Sequence, residues 1–186
     1  MKPLFTTDKP SKILVLGGCR SGKSRFAEES VATHFTTRTF IATLDPADDA
    51  EMARRIKLHQ KTRADDWLTV EEPVHIARVL TENQNRTDAF VVDCLTLWIT
   101  NLMLRDLSDA AIEEKVHELG RTVQHLEKTV LLVANEVGLG LVPESPLGRR
   151  FRDLAGWTNQ HMAKICDSVF FVAAGLPMCL KGKLKK

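Results

Sequence analysis

The 186-residue sequence has neither a long hydrophobic run nor a strong excess of charge of either sign. No apolar stretch approaches the roughly 20 residues that a membrane-spanning helix needs, and the segment MKPLFTTDKPSK lacks the apolar core of a secretory signal. The net charge of +2 argues neither for nor against a nucleic-acid partner. We therefore expect a cytoplasmic protein with no membrane span, and we assign it no nucleic-acid partner.

Cysteine is also scarce, with four residues that form no C-x-x-C pair, so the usual zinc and redox motifs are excluded. Free thiols in a reducing cytosol are the simplest interpretation. Internal repeats and low-complexity segments are lacking too, and a composition of 44% hydrophobic and 27% charged residues is ordinary for a globular protein. The length predicts one domain over residues 12–186, preceded by a flexible leader over residues 1–11.

The most informative motif is GGCRSGKS at residues 17–24, which matches the phosphate-binding pattern G-x-x-x-x-G-K-S. Gly17 and Gly22 allow a tight turn whose N–H groups face phosphate oxygens. Lys23 suits the β- and γ-phosphates of a nucleoside triphosphate, and the Ser24 hydroxyl suits Mg²⁺. A chance glycine-rich turn is the alternative, but the apolar strand before the motif and the helical pattern after it argue against chance. The predicted contacts are Gly17, Gly18, Cys19, Arg20, Ser21, Gly22, Lys23 and Ser24.

Apolar runs and helical patterns alternate along the rest of the chain, and several runs are rich in Val, Ile and Phe. Such runs are typical of strands covered on both faces. The alternation predicts an α/β fold of the P-loop NTPase (RecA-like) type, with a mostly parallel sheet flanked by helices. The predicted strands are 13–16, 39–42, 67–70, 89–93, 130–134 and 168–173. The predicted helices are 23–34, 47–63, 74–83, 95–104, 109–127 and 147–166.

Ligands of such sheets bind beyond the carboxyl ends of the strands, so the residues at these ends are candidates for the site. Asp93 ends an apolar strand, as a Mg²⁺-organising carboxylate does in P-loop enzymes. A helix-capping role is the alternative for this residue. After Asn135, the glycines and prolines of residues 136–146 predict an ordered loop over the site, or else a plain connection.

A second cluster lies in the predicted helix ADDAEMARRIKLHQKTR, where Arg55, His59 and Arg63 are spaced four apart and share one face. Guanidinium groups suit phosphate, and a neutral imidazole can attack phosphorus. From spacing alone, however, a solvated surface histidine is the more common situation. The basic run at residues 149–152 is interpreted as solvated, with a role towards an anionic substrate left open.

Taken together, these segments resemble the bifunctional adenosylcobinamide kinase / adenosylcobinamide-phosphate guanylyltransferase family of cobalamin biosynthesis. The resemblance covers about residues 12–181 and rests on five segments in order. They are GGCRSGKSRFAE, FIAT, DDAEMARRIKLHQKTR with W-x-T-V-E after it, VVDCLTLWITNL and NEVGLGLVPESPLGRRFRDLAGWTNQ.

The resemblance implies two reactions. ATP or GTP phosphorylates adenosylcobinamide, and GTP then guanylylates a histidine that passes GMP to adenosylcobinamide phosphate. It implies His59 and Lys23 as catalytic residues, Mg²⁺ held by Ser24 and Asp93, and a homotrimer. The further nucleotide contacts that it implies are Ala42, Thr43, Leu44, Gln60, Lys61, Thr62, Arg63, Glu71 and Asp93.

The sequence departs from the family pattern at several positions. Cys19 stands where alanine is usual, Asp93 where many relatives have glutamate, and Thr62 where glycine is frequent. Leu58 and Gln60 flank His59 where relatives often have polar or basic residues. None of these changes removes a group that the chemistry needs.

Two other functions would also use a phosphate loop. A regulatory GTPase would usually carry the base-reading motif N-K-x-D, which is absent from the sequence. A P-loop kinase of another small metabolite would show the same phosphate loop without guanylylation. Acid-labile labelling by GTP separates that kinase from the bifunctional enzyme.

Overall fold

The protein, seen in a computed structural model that describes residues 9–45 and 67–182, is built on one sheet of seven strands. The strands are β1 Lys12–Gly17, β2 Arg38–Ala42, β3 Trp67–Glu71, β4 Ala89–Asp93, β5 Thr129–Asn135, β6 Ser168–Ala173 and β7 Leu176–Lys181. Their spatial order is β3-β2-β4-β5-β1-β6-β7. All neighbours are parallel except β6 and β7. The α/β fold expected from the sequence is confirmed.

Within residues 9–45 and 67–182, five α-helices connect the strands: α1 Lys23–Ala32, α2 Ile76–Asn83, α3 Leu95–Leu104, α4 Asp109–His125 and α5 Pro146–Ile165. The two longest begin at serine caps, since Ser108 Oγ accepts from Ala111 N and Ser145 Oγ accepts from Gly148 N. Pro146, whose missing N–H is harmless at this position, opens α5. The helix predicted at 47–63 lies outside the described residues.

The sheet separates two apolar cores because successive side chains of a strand point to opposite faces. On one face, which we call the α1 face, Phe26 and Val31 pack on Val15, Val91 and Val133. On the other, the apolar stripes of α2 to α5 cover the alternate residues of the same strands. Burial on both faces explains why these strands are continuous apolar runs.

Strand β7 was not expected from the sequence. It turns back from β6 through Ala174 and Gly175 and pairs antiparallel with it at the edge of the sheet. Its residues alternate between half-buried and exposed, and it contains Pro177, which favours edge positions. A strand as short as β7 gives little periodic hydrophobic signal in the sequence.

Within the described residues, no helix is both long and apolar enough to cross a membrane.

Candidate active site

The phosphate loop joins β1 to α1 at the carboxyl edge of the sheet. β1 lies between β5 and β6, and each of them pairs with it along nearly its whole length. Strand, loop and helix therefore follow each other as the motif predicts, and Lys23 is the first residue of α1. The positive end of the helix dipole points at the loop, which favours anions there.

Two glycines of the loop are required by geometry. A Cβ on Gly17 would lie 2.5 Å from both Ser21 Oγ and the carbonyl oxygen of Val172. Gly22 has φ +93°, in the left-handed region that side chains disfavour, and it lies against Gly175 in the β6–β7 turn. The Gly175 N–H donates to the Ser21 carbonyl oxygen at 2.8 Å, so the turn supports the loop from behind.

Inside the loop, Lys23 is 8% exposed and its Nζ donates to the Gly18 carbonyl oxygen at 3.1 Å. The ammonium group is thus held across the space that the loop encloses. Ser21 is also buried, and its Oγ has no hydrogen-bond partner among the described residues. A buried hydroxyl without a partner is costly, and a phosphate oxygen would satisfy it.

Three other predicted contacts lie side by side at the ends of their strands. Ala42 pairs in register with Glu71 on one side and with Asp93 on the other. Ala42 and Asp93 each follow, by two residues, a side chain of the α1 face, and Glu71 follows Trp67 of that face by four. Because side chains alternate along a strand, all three lie on the face that carries α1. Glu71 is exposed, whereas Asp93 and Ala42 are half-buried. The sheet therefore brings Asp93 to the same face and edge as the helix that begins with Lys23 and Ser24.

The residue after β2 connects two strand ends. Thr43 is fully buried, its Oγ1 donates to the Cys94 carbonyl oxygen at 2.8 Å, and it accepts from Cys94 N at 2.7 Å. Asn101 Nδ2 donates to the Thr43 carbonyl oxygen at 2.7 Å and to that of Pro73 at 3.0 Å. Thr43 thus orients the backbone next to Asp93. The following residue, Leu44, is half-buried. Asn101, on helix α3, was not anticipated.

The pKa of the Cys94 thiol depends on burial and on the charges at this edge of the sheet. Burial and, to a smaller extent, the carboxylate of Asp93 raise its pKa to about 12, while the positive charge of Lys23 acts in the opposite direction. The thiol is therefore protonated at neutral pH. Cys94, and not Asp93, is the N-cap of α3.

The end of β5 is held from two sides. Asn135 N donates to Thr96 Oγ1 at 2.7 Å, and Asn159 Nδ2 of α5 donates to the Asn135 carbonyl oxygen at 3.2 Å. The next residue, Glu136, donates its N–H to the Gly17 carbonyl oxygen at 3.0 Å. The loop after β5 therefore starts at the first glycine of the phosphate loop. The sequence analysis did not single out Asn159, because a residue within a helical pattern gives no sign that it contacts the end of a strand.

Mg²⁺ fits the residues of this edge. Within the part of the chain that the structure describes, no group of three or more His, Cys, Asp or Glu could hold a metal by itself. A hydroxyl from Ser24, a carboxylate from Asp93 and phosphate oxygens of a nucleotide form the incomplete protein donor set that Mg²⁺ commonly takes. Both residues are half-buried.

Several predicted residues lie outside the described residues, in the segment 46–66 between β2 and β3. They are Arg55, His59, Gln60, Lys61, Thr62 and Arg63. Their roles remain predictions.

The arginine cluster is largely engaged within the protein. Arg149 Nη1 donates to the carbonyl oxygens of Pro143 and Glu144, and Arg150 Nε donates to Asp109 Oδ1 at 2.6 Å. These contacts attach the loop after β5 and the start of α4 to α5.

The chain is similar to known proteins over most of its length. The chain is 44% identical over 170 residues to the bifunctional adenosylcobalamin biosynthesis protein CobP of Pseudomonas aeruginosa, covering 91% of this chain and 97% of the relative. It is 37% identical over 181 residues to the protein of the same description, CobU, of Salmonella typhimurium, covering 91% and 99%. A solved protein of Pyrococcus horikoshii OT3 shares the fold, with a TM-score of 0.56, 9% identity, and coverage of 92% of this chain and 86% of that one.

The family model described as cobinamide kinase / cobinamide phosphate guanyltransferase matches residues 13–180, which include the phosphate loop, the carboxyl ends of β1 to β6 and the segment 46–66. With nearly the whole chain matched and two close relatives of the same description, the protein belongs to the cobinamide kinase / cobinamide phosphate guanyltransferase family.

Proposed function

We propose that this protein first transfers a phosphoryl group from ATP or GTP to the aminopropanol hydroxyl of adenosylcobinamide. It then transfers GMP from GTP, through a guanylylated His59, to adenosylcobinamide phosphate, giving adenosylcobinamide-GDP. Membership of the family supports the two reaction types. The observation that carries the proposal for this chain is the Lys23 ammonium, enclosed in the phosphate loop at 3.1 Å from the Gly18 carbonyl oxygen.

In the kinase step, the loop N–H groups and Lys23 hold the β- and γ-phosphates and stabilise the charge that builds up on the leaving oxygen. The substrate hydroxyl oxygen forms a bond to the γ-phosphorus, the bond from that phosphorus to the β–γ bridging oxygen breaks, and the hydroxyl proton passes to water. Mg²⁺, held by Ser24 and Asp93 together with phosphate oxygens, would neutralise further negative charge. Asp93 lies at the end of β4, next to backbone that Thr43 orients.

In the second step, a ring nitrogen of His59 attacks the α-phosphorus of GTP, a P–N bond forms, and pyrophosphate leaves. A phosphate oxygen of adenosylcobinamide phosphate then attacks the same phosphorus, the P–N bond breaks, and the histidine is restored. Arg55 and Arg63, spaced four residues from His59, are proposed to hold the α-phosphate, with further contacts from Gln60, Lys61 and Thr62.

We also propose that the protein acts in the cytoplasm, where ATP and GTP are available, as a homotrimer. Support for self-association comes from β7, an edge strand whose outward residues Leu176, Met178 and Leu180 are 71%, 51% and 62% exposed. Sedimentation equilibrium tests this, since a trimer has three times the 20.9 kDa mass of the chain.

The decisive experiment incubates the protein with GTP labelled at the α-phosphorus and precipitates it. We expect label on the wild type that is lost in acid, as a phosphoramidate requires, and none on the variant His59→Ala. Label retained by His59→Ala would refute the role of His59. A protein that phosphorylates another metabolite but neither takes up label nor phosphorylates adenosylcobinamide would establish the simpler kinase instead.

A further inference from the structure

The loop after β5 exposes an unusual amount of apolar surface. Of the nine large hydrophobic side chains that are exposed among the described residues, four lie between residues 139 and 147. Leu139, Leu141, Val142 and Leu147 are 81%, 95%, 62% and 59% exposed. We call these four the apolar rim. Clustered apolar side chains on a surface usually mark a binding site.

The apolar rim is displayed by a loop with a defined conformation. Glu136 Oε1 accepts from Gly138 N at 2.7 Å at one end of the loop. At the other end, Arg149 donates to the carbonyl oxygens of Pro143 and Glu144, at 3.1 and 2.6 Å. Pro143 packs so closely on α5 that a Cβ on Gly148 would lie 2.8 Å from it. The backbone is held, and the apolar side chains still face outward.

The loop that carries the apolar rim begins at the phosphate loop. It leaves β5 at Glu136, whose N–H donates to the Gly17 carbonyl oxygen at 3.0 Å. It ends at the start of α5, and Asn159 of that helix contacts the end of β5. About 20 Å of helix precedes this contact, at 1.5 Å per residue. The loop and the helix therefore each contact the carboxyl edge of the sheet, at Gly17 and at Asn135.

We propose that the apolar rim binds the corrin ring of cobinamide, an inference that rests on the proposed function. The hydroxyl to be phosphorylated is on a short arm of the substrate, so when it reaches a γ-phosphate in the phosphate loop, the ring has to lie next to that loop. A corrin ring is a large macrocycle edged with methyl groups and neutral amides. The segment VGLGLVPESPL matches that chemistry, because Glu144 is its one charged residue.

The test compares the double variant Leu141→Ser/Val142→Ser with a matched control, Leu141→Met/Val142→Ile, which keeps the apolar surface. Both variants change exposed side chains, and unfolding curves verify that they fold. We expect the serine variant to raise the KM for adenosylcobinamide about tenfold, because apolar contact with the ring is lost. The KM for the nucleotide should stay within about twofold in both variants, and the control should behave like the wild type.

Each outcome separates the two proposals. Wild-type protein that neither binds nor phosphorylates adenosylcobinamide would refute the proposed function. Wild-type activity together with an unchanged KM in the serine variant would refute the corrin-binding rim alone. An equal rise in the nucleotide KM would show that the loop acts by shaping the phosphate loop, and a lower mass in sedimentation would show that the rim joins copies of the chain. Either result would overturn the inference.

Discussion

The hydroxyl of Thr43 is bonded twice to the backbone of Cys94: it donates to the carbonyl oxygen at 2.8 Å and accepts from the N–H at 2.7 Å. The two residues are 51 positions apart in the chain and follow neighbouring parallel strands. One buried side chain therefore sets the relative position of the ends of β2 and β4, and with them that of Ala42 and Asp93.

Replacement of Thr43 by valine keeps the shape of the side chain and removes both bonds. The buried N–H of Cys94 loses its partner, while its carbonyl oxygen still accepts from Trp98 N at 3.1 Å. The free energy of unfolding should therefore fall by about 1–3 kcal/mol, measured by urea denaturation. Thr43→Ser, which retains the hydroxyl, should lose less than half as much. Equal losses in both variants would mean that the methyl group, and not the hydrogen bonds, is what matters.

The variant Lys23→Met tests the phosphate loop. Methionine keeps the buried stem and removes the charge, so kcat/KM for the kinase reaction should fall by about 10²–10³-fold. The control is Arg25→Met on the same helix, because the Arg25 side chain is exposed and pairs with Glu29. It should leave kcat/KM within about twofold. A comparable loss in both variants would point to a general effect of positive charge on α1.

Cys19 gives a chemical test of where the nucleotide binds. It is exposed in the phosphate loop, whereas Cys94 and Cys166 are buried. Alkylation followed by mass spectrometry should find Cys19 modified much faster than the two buried thiols, because burial raises the pKa of each of these to about 12. GTP should protect Cys19, and the variant Cys19→Ala should bind GTP without this sensitivity. Unprotected modification at saturating GTP would contradict phosphate binding by the loop.

Stability at alkaline pH should depend on the buried thiols. In the unfolded chain a thiol ionises near pH 9.0, while burial raises the pKa of Cys166 to about 12 in the folded protein. Cys166 stays protonated to a higher pH in the folded protein than in the unfolded chain. Its contribution to the free energy of unfolding is therefore complete below pH 9 and is lost as the pH rises towards 12. Lys12 acts in the opposite direction, since burial lowers its pKa to about 8, and stability is gained as the pH rises from 8 to 10.5.

Comparison of Cys166→Ala with the wild type separates the effect of the thiol from that of Lys12, because Lys12 is present in both proteins. Between pH 9 and 10.5, its free energy of unfolding should fall less steeply than that of the wild type, measured by urea denaturation at each pH. Parallel curves over this range would exclude a raised pKa for this thiol.

Much of this fold was predictable because the strands that form the centre of the sheet are apolar on both faces. Six strands and four of the described helices were located within about two residues, and α3 was placed with the bounds observed. β7 was missed because an edge strand buries too little to produce a pattern. The family was also predictable, since the ordered set of motifs extends over most of the chain and the family match confirms it.

The supporting contacts of the site could not be predicted in the same way. The phosphate loop is contiguous in sequence and was found directly. The bonds of Thr43 to Cys94 and of Asn159 to Asn135 depend on strand order, which the pattern of apolar residues does not reveal. Ser21 illustrates the same limit, because the burial of its hydroxyl depends on how closely Gly17 approaches it.

The central place of β1 has a consequence for the synthesis of this protein. β1 and the phosphate loop are synthesised before the parts that flank and support them: β5, β6 and the Gly175 N–H are all made more than 100 residues later. A nascent chain must therefore carry an apolar strand without its two neighbours until β5 and β6 have been made. Chains released before residue 175 should not bind nucleotide, and during that interval β1 is the segment most in need of a chaperone.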